Sequence, residues 1–455
     1  MLRTLFKSFK GGSGPATAAV SPDAAEPEAA PQAATPPAPG SDAAIALARD
    51  YVQRHPGLYE ARFDLAQHLV AAARHAEAEP LLRELLDQRP AVQATLHLLG
   101  FALKAQGRLE EAIEYGRLAV AVEPFNPLSQ LLLAQQLFLA GRCGEAFLHF
   151  RARSPNPPEW TRHLPLWEGE PLAGRRLLVW LDWGGIGDEL MFARYVPMLL
   201  RDYAPGELHW NVLAQNRRLL SLLPGVTQVF SETTGLAVDC HIPLLDLPCL
   251  FGTSEHNVPA IPAYLRADPA DQASWARRLG HLPGLKVGLC WSSGHWKDDP
   301  EFERDRQARS APPAVLAALA RIEGVSVVSL QKGKDAAQWA ATAGDALIHD
   351  FDTELADMAQ TAALIEQLDL VVSVDTSVAH LAAALGKPVL LLAAWNIGLF
   401  WNVQGHPPER TPWYPSMRLL RQQKPGDWRA EAARAAQLLG AWSRAGRVDL
   451  FGDPA

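Results

Sequence analysis

Two stretches of the chain hold residue types whose spacing suits chemistry. In "LDWGGIGDELMFARY", residues 181–195, Gly184, Gly185 and Gly187 turn the chain after an apolar run. Asp188 and Glu189 fall in the helical turn that follows. A carboxylate there can take a proton from an acceptor hydroxyl. A helix N-terminus lowers a carboxylate's pKa and weakens it as a base; Asp188 acting only as a helix cap explains the same residues. In "DLVVSVDTSVAHLAAALGKPVLLL", residues 369–392, an apolar run enters Asp375-Thr376-Ser377 and leaves as an alanine-rich helix. The first amides of a helix lack internal partners and sit at its positive dipole end, so they suit a phosphate. Asp375 would repel that phosphate, so it is expected to cap the helix and face sugar hydroxyls. Thr376 and Ser377 would face the anion, and His380, one turn in, could donate to it.

Further groups belong to loops that follow neighbouring strands. "WSSGHWKDD" (291–299) offers Ser292 and Ser293, and "SLQKGKD" (329–335) offers Gln331 and Lys332. "ERDRQARS" (303–310) adds Arg304, Arg306 and Arg309, whose guanidinium forks suit phosphate or carboxylate. Each taken singly also reads as an ordinary solvated loop. Asp350-Phe351-Asp352 has a form that holds metal in some transferases, but it ends an expected edge strand and is set aside. The chain has no HExxH, Walker A, nucleophile elbow or zinc spacing. No metal and no bound cofactor are expected.

These residues must be positioned by an alternation of strands and helices. Strands are expected at 175–182, in "ELHWNVLA" and "VDCHIPLL", and then at 286–291, 324–330, 369–374, 388–393 and 417–422. Helices are expected at 312–322, 354–368 and 377–385. Such alternation means parallel sheets covered on both faces. Two consecutive series make two Rossmann-like domains facing a cleft, over residues 159–285 and 286–445, with ligands beyond the carboxyl ends of the strands. The last helix, about 427–442, is expected to cross back to the first of these domains.

Upstream, Pro56, Pro90 and Pro124 lie 34 residues apart, the period of the tetratricopeptide repeat. Leu96, Leu99, Gly100, Gly107, Ala112, Ala119 and Pro124 stand where that repeat wants them. An α-helical repeat array is therefore expected over 43–158, with a concave face suited to an extended partner. Residues 1–42 are rich in Ala, Pro, Gly, Ser, Asp and Glu and are expected to be a disordered leader; 446–455 form a tail.

The 455 residues carry a net charge of −8, which argues against a nucleic-acid binder. No apolar run reaches the roughly 18 residues of a membrane helix. The four cysteines form no CxxC pair and suit a reducing, cytoplasmic setting.

"VSVDTSVAHLAAALGKPVLLL" resembles the donor-domain motif of the heptosyltransferase-like glycosyltransferases, a group with the GT-B fold. "GIGDELMFARYVPML" is similar to their Gly-Asp-x-Leu motif, whose aspartate is taken as catalytic base and maps onto Asp188. The donor motif maps onto Asp375, Thr376 and His380. Over residues 43–442 the chain looks like bacterial fusions of tetratricopeptide repeats with such a domain, some of which glycosylate flagellin. The resemblance implies a GT-B transferase that works without a bound metal. It would take a nucleotide sugar as donor and a protein acceptor held by the repeats. A catalytically inactive scaffold and a lipopolysaccharide-core transferase are the alternatives. The stretches 294–309 and 394–415 depart from the family pattern.

Overall fold

The computed structural model describes residues 37–153, 159–232, 236–294, 300–395 and 398–445. Most of the leader, the tail, and parts of the 294–309 and 394–415 stretches lie outside the described residues. The chain divides into two units, with the boundary between Gln136 and Leu137.

The first unit is a series of antiparallel helix pairs: α1 (Asp42–Arg54), α2 (Tyr59–Ala71), α3 (His75–Gln88), α4 (Gln93–Ala105), α5 (Leu109–Val122) and α6 (Pro127–Leu139), whose last residues cross into the second unit. A further helix, α7 (Cys143–Phe150), follows. Alanines allow the close approach: Ala66, Ala78, Ala102, Ala112 and Ala119 are fully buried. The turn inside each pair needs one left-handed residue, and the same position of the period supplies it: Ala73 (φ 59°), Gly107 (φ 79°) and Gly141 (φ 76°). Arg74 and Arg108 follow, and each donates to the glutamate three residues on, Glu77 or Glu111, at 2.6 Å. Arg108 also reaches back to Glu79 at 2.6 Å, stitching adjacent pairs. The first helices of successive pairs share a buried polar seam: Tyr59 to Thr95 at 2.5 Å, and His97 and Gln93 each to Ser129 at 2.7 Å. Burial pushes His97 down to about 4, so the seam is uncharged at neutral pH.

The second unit holds two parallel sheets. The first comprises β1 (Arg176–Trp180), β2 (Glu207–Asn211), β3 (Gln228–Phe230) and β4 (Cys240–Pro243) in the order β3-β2-β1-β4. Helices α8 (Ile186–Phe192) and α9 (Tyr195–Tyr203) connect β1 to β2. Helix α10 (Pro269–Leu279) leads to the second sheet, of β5 (Leu285–Cys290), β6 (Val325–Ser329), β7 (Leu370–Val374), β8 (Val389–Ala393) and β9 (Met417–Arg421), in the order β6-β5-β7-β8-β9. Its helices include α11 (Pro300–Ala308), α12 (Met358–Ile365), α13 (Ser377–Ala384) and α14 (Arg429–Ala445). Every residue of β7 and β8 is buried, as expected for strands covered on both faces. The architecture is the expected helical repeat array followed by two Rossmann-like sheets.

One expectation fails. Helix α14 does not cross to the first sheet. Its apolar stripe of Trp428, Ala432, Ala435, Leu439 and Trp442 shares a core with Leu390, Leu392 and Leu420 of β8 and β9. The short link after β9 delivers the helix straight onto the sheet it has just left. Strand β3 had no sequence signal, because three residues are too few to show a period.

Ala73 is the repeat's one non-glycine at the left-handed turn position, where a Cβ is strained. Ala73→Gly should stabilise the repeat unit by about 0.5–1 kcal/mol. A denaturation midpoint, followed by far-ultraviolet circular dichroism, that stayed put or fell would contradict this.

Candidate active site

The two sheets of the second unit meet through α8 and α13. After β1, Gly184 turns the chain at φ 91°, and a Cβ there would lie 2.6 Å from Asp188 Oδ2. Gly185 caps α8, and its N–H donates to Asp188 Oδ2 at 2.8 Å. Asp188 therefore caps α8, as the cap reading expects. Gly187 faces α13: a Cβ there would come within 2.9 Å of His380 Cδ2 and 3.5 Å of the Ser377 Cα. On the other side of this contact, Thr376, not Asp375, is the N-cap of α13, and no side chain caps that helix. Asp375 is buried with Oδ1 3.9 Å from His380 Nε2. Gly398 passes so near that a Cβ would sit 2.8 Å from Asp375 Oδ2.

The electrostatics of the turn differ from the helix-terminus expectation. The Asp188 carboxyl is pushed up to about 6, mainly by burial; the Gly185 N–H pulls it down, the charge of Asp375 raises it, and Arg309 lowers it. Desolvation outweighs the helix end. Asp188 nevertheless keeps some solvent contact. Its neighbour Glu189 points inward. It accepts from Asn216 Nδ2 at 2.7 Å and from the Leu213 N–H at 3.2 Å, and burial raises it to about 8. Glu189 therefore holds the 213–216 loop. His380 is pushed down to about 4 by burial and is neutral near pH 7. Its Nδ1 lies 3.0 Å from the Tyr414 hydroxyl, and its ring stacks on Trp401 at 5.0 Å.

The remaining donor-side residues gather at the carboxyl ends of β5 and β6, where they bond largely to one another. Gln331 Oε1 accepts from the N–H groups of Ser292 (2.8 Å) and Trp291 (3.1 Å). Ser292 Oγ donates to Asp335 at 2.6 Å, and Arg306 Nη1 donates to Ser292 Oγ at 2.8 Å and to Asp335 at 2.5 Å. The Ser293 N–H donates to Ser310 Oγ at 3.1 Å. Lys332 is exposed, with its ammonium on the Leu355 carbonyl, and Arg309 donates to Asp305 at 3.0 Å. Among the expected site residues, Asp188, Gly187, Asp375, Ser377 and His380 share one locus, with Arg309 in electrostatic reach. Ser292, Ser293, Gln331 and Arg306 share a second.

Sequence reasoning passed over Arg194, Tyr264, Tyr414 and Trp401. Arg194 is fully buried and donates to the carbonyls of Met191 (2.8 Å), Pro259 (3.1 Å) and Trp413 and to the Tyr264 hydroxyl (3.3 Å). Its guanidinium lies 4.5 Å from the Tyr414 ring centre. The available signal was an arginine inside the apolar run "LMFARYVPML".

Residues 315–414 match the family model described as glycosyltransferase family 9 (heptosyltransferase). The matched stretch, residues 315–414, is heptosyltransferase-like. Protein FlbA of Caulobacter vibrioides is 28% identical over 391 residues, 78% of this chain and 63% of that protein. The chain thus spans 63% of the length of the curated relative it matches. Among solved structures, this chain is similar to the ADP-heptose lps heptosyltransferase II of E. coli. It has TM-score 0.42 and 17% identity, over 58% of this chain and 99% of that one. A chain described as MamA gives TM-score 0.23 and 24% identity, over 24% of this chain and 63% of its own.

Glu189 yields a pH test. Its folded pKa, about 8, stands above its unfolded value of 4.5, so its contribution to stability is complete below 4.5 and is lost as pH rises through 8. Glu189→Gln should flatten the fall in melting temperature across that window. An identical slope in both proteins would refute the assignment.

Proposed function

We propose that this protein is a glycosyltransferase that moves a sugar from a nucleotide-activated donor to an acceptor hydroxyl. One observation carries the reading. Asp188, with a pKa of about 6 and some contact with solvent, adjoins Gly187, which faces the start of α13. A carboxylate poised near neutrality is suited to take the acceptor's proton as the new glycosidic bond forms. The first amides of α13, which no side chain caps, would receive the leaving phosphate beside Ser377, where charge develops. Lys332, exposed, and Arg309 would add positive charge. The match to a heptosyltransferase family model over residues 315–414 supports the donor side.

In this reading the repeats hold the acceptor, a protein, with flagellin as the first candidate. The reaction needs no bound metal, and the setting is the cytoplasm. No described helix is long and apolar enough to cross a membrane.

One observation favours a second reading, a scaffold without activity: Ser292, Gln331, Arg306 and Asp335 already satisfy one another. A thermal-shift screen across nucleotides and nucleotide sugars separates the two. Stabilisation by at least one nucleotide diphosphate is expected; stabilisation by none would favour the scaffold.

Asp188→Asn should leave folding intact and lower kcat by about 10²–10⁴-fold. The wild-type rate should rise with pH through about 6, as Asp188 loses its proton. Full activity in Asp188→Asn, or a rate flat through that window, would remove Asp188 as the base. Gly187→Ala should also impair transfer, since its methyl would meet His380 at 2.9 Å.

A further inference from the structure

The two sheets are joined a second time, through residues outside α8 and α13. The loop 213–216 and the short helix Arg217–Leu220 follow β2 of the first sheet. On the other side, α12 precedes β7 of the second sheet, and α10 packs against α12. Arg218 is where they meet. Its Nε and Nη2 donate to Asp357 at 2.8 and 3.0 Å, and its Nη1 donates to Asp271 at 2.5 Å. A planar guanidinium forked onto one carboxylate and reaching a second fixes direction as well as distance. Beside it the Met358 N–H donates to the Gln215 carbonyl at 3.0 Å.

The two acids are held independently of Arg218. Asp357 caps α12, accepting from the Gln360 N–H at 2.8 Å. The Gln360 side chain donates to Asp271 at 2.9 Å and accepts from Trp275 Nε1 at 2.9 Å. Arg218 therefore closes onto a rigid pair of carboxylates on the second-sheet side.

Both ends of this connection lead to the candidate site. On the first-sheet side, Glu189 accepts from the Leu213 N–H and from Asn216, so the segment before Arg218 is tied to the residue next to Asp188. On the second-sheet side, α12 leads into β7, which ends at Val374, one residue before Asp375. We propose that Arg218 is a positioning residue for sugar transfer, its grip on Asp357 and Asp271 setting the spacing between the Asp188 turn and the start of α13. The role in transfer rests on Asp188 being the base; the spacing is measured without turnover.

Burial raises the Asp188 carboxyl most; the Gly185 N–H and Arg309 oppose it, and the charge of Asp375 adds to it. His380, which also faces this turn, is neutral. Releasing the grip would hydrate Asp188 and draw Asp375 away, and both changes lower its pKa. The Arg218 side chain is 44% exposed, and ion pairs so placed add little to overall stability, so its removal should leave the fold standing.

NMR of isotope-labelled aspartate carboxyls in the full-length protein would follow Asp188 through a pH titration, with its signal assigned by loss in Asp188→Asn. Arg218→Ala should move the Asp188 midpoint to lower pH and speed exchange of the Met358 and Leu213 amide protons. Asp357→Asn keeps an oxygen for the Gln360 cap and should shift the midpoint the same way; it decides alone if Arg218→Ala does not fold. The two variants change the net charge in opposite directions, so a common downward shift cannot come from their own fields. In a transfer assay each should lower kcat and move the rising limb of the pH profile down. A midpoint that stays put or rises in a folded variant overturns the spacing role. A wild-type protein that transfers no sugar would instead remove the transferase reading, and the role in transfer with it.

Discussion

The second unit depends on the approach of α8 to α13. Gly187 is the contact point: any side chain would run into His380 at 2.9 Å. This nearness brings Asp188, at the end of the first sheet, into the field of Asp375, at the end of the second. The negative charge of Asp375 raises the cost of ionising Asp188. The contact must therefore be held by something other than the groups that profit from it. Arg194 does this. Its guanidinium takes the carbonyls of Met191 in the last turn of α8, of Pro259 in the link between the sheets, and of Trp413 before β9. Three segments from both halves are tied to one buried cation.

A buried charge normally needs an opposite charge. Arg194 is compensated by carbonyl dipoles and ring faces: Tyr264, Trp413 and Tyr414 lie within 5.3 Å of its guanidinium carbon. Tyr414 then passes the constraint to His380 through the 3.0 Å contact at Nδ1. Burial keeps that imidazole neutral, so it braces α13 without adding charge beside Asp375.

What could be read from the sequence was whatever is local or periodic. The 34-residue spacing of prolines fell on real helix pairs because each pair contacts only its neighbours. The runs that became β7 and β8 were the most legible, because a strand covered on both faces is apolar along nearly its whole length. The polar knot after β7 was legible as a strand-to-helix turn. The partners of its residues were not. Gln331 was expected to serve a bound ligand; it instead accepts from the amides after β5, a pairing set by adjacency of β5 and β6. Arg306 binding Asp335 across 29 residues, and Arg194 reaching Trp413 across 219, follow no local rule.

Asp188 and Glu189 show how far local context stops short. They are neighbours on one helical turn, both near the same dipole, and composition alone would treat them alike. The turn leaves one half-buried against the Gly185 N–H and aims the other toward the 213–216 loop. Burial raises both, but by different routes to different ends. Asp188 keeps contact with solvent and titrates near 6, where proton exchange with an acceptor is easy. Glu189 is sealed among Asn216 and Leu213 and titrates near 8, where it stays largely protonated and serves to fasten a loop. The Gly184–Gly185 turn decides which carboxylate does which, since a Cβ at Gly184 would strike the Asp188 carboxylate. The chemistry proposed for Asp188 therefore rests on a turn that only glycine can make.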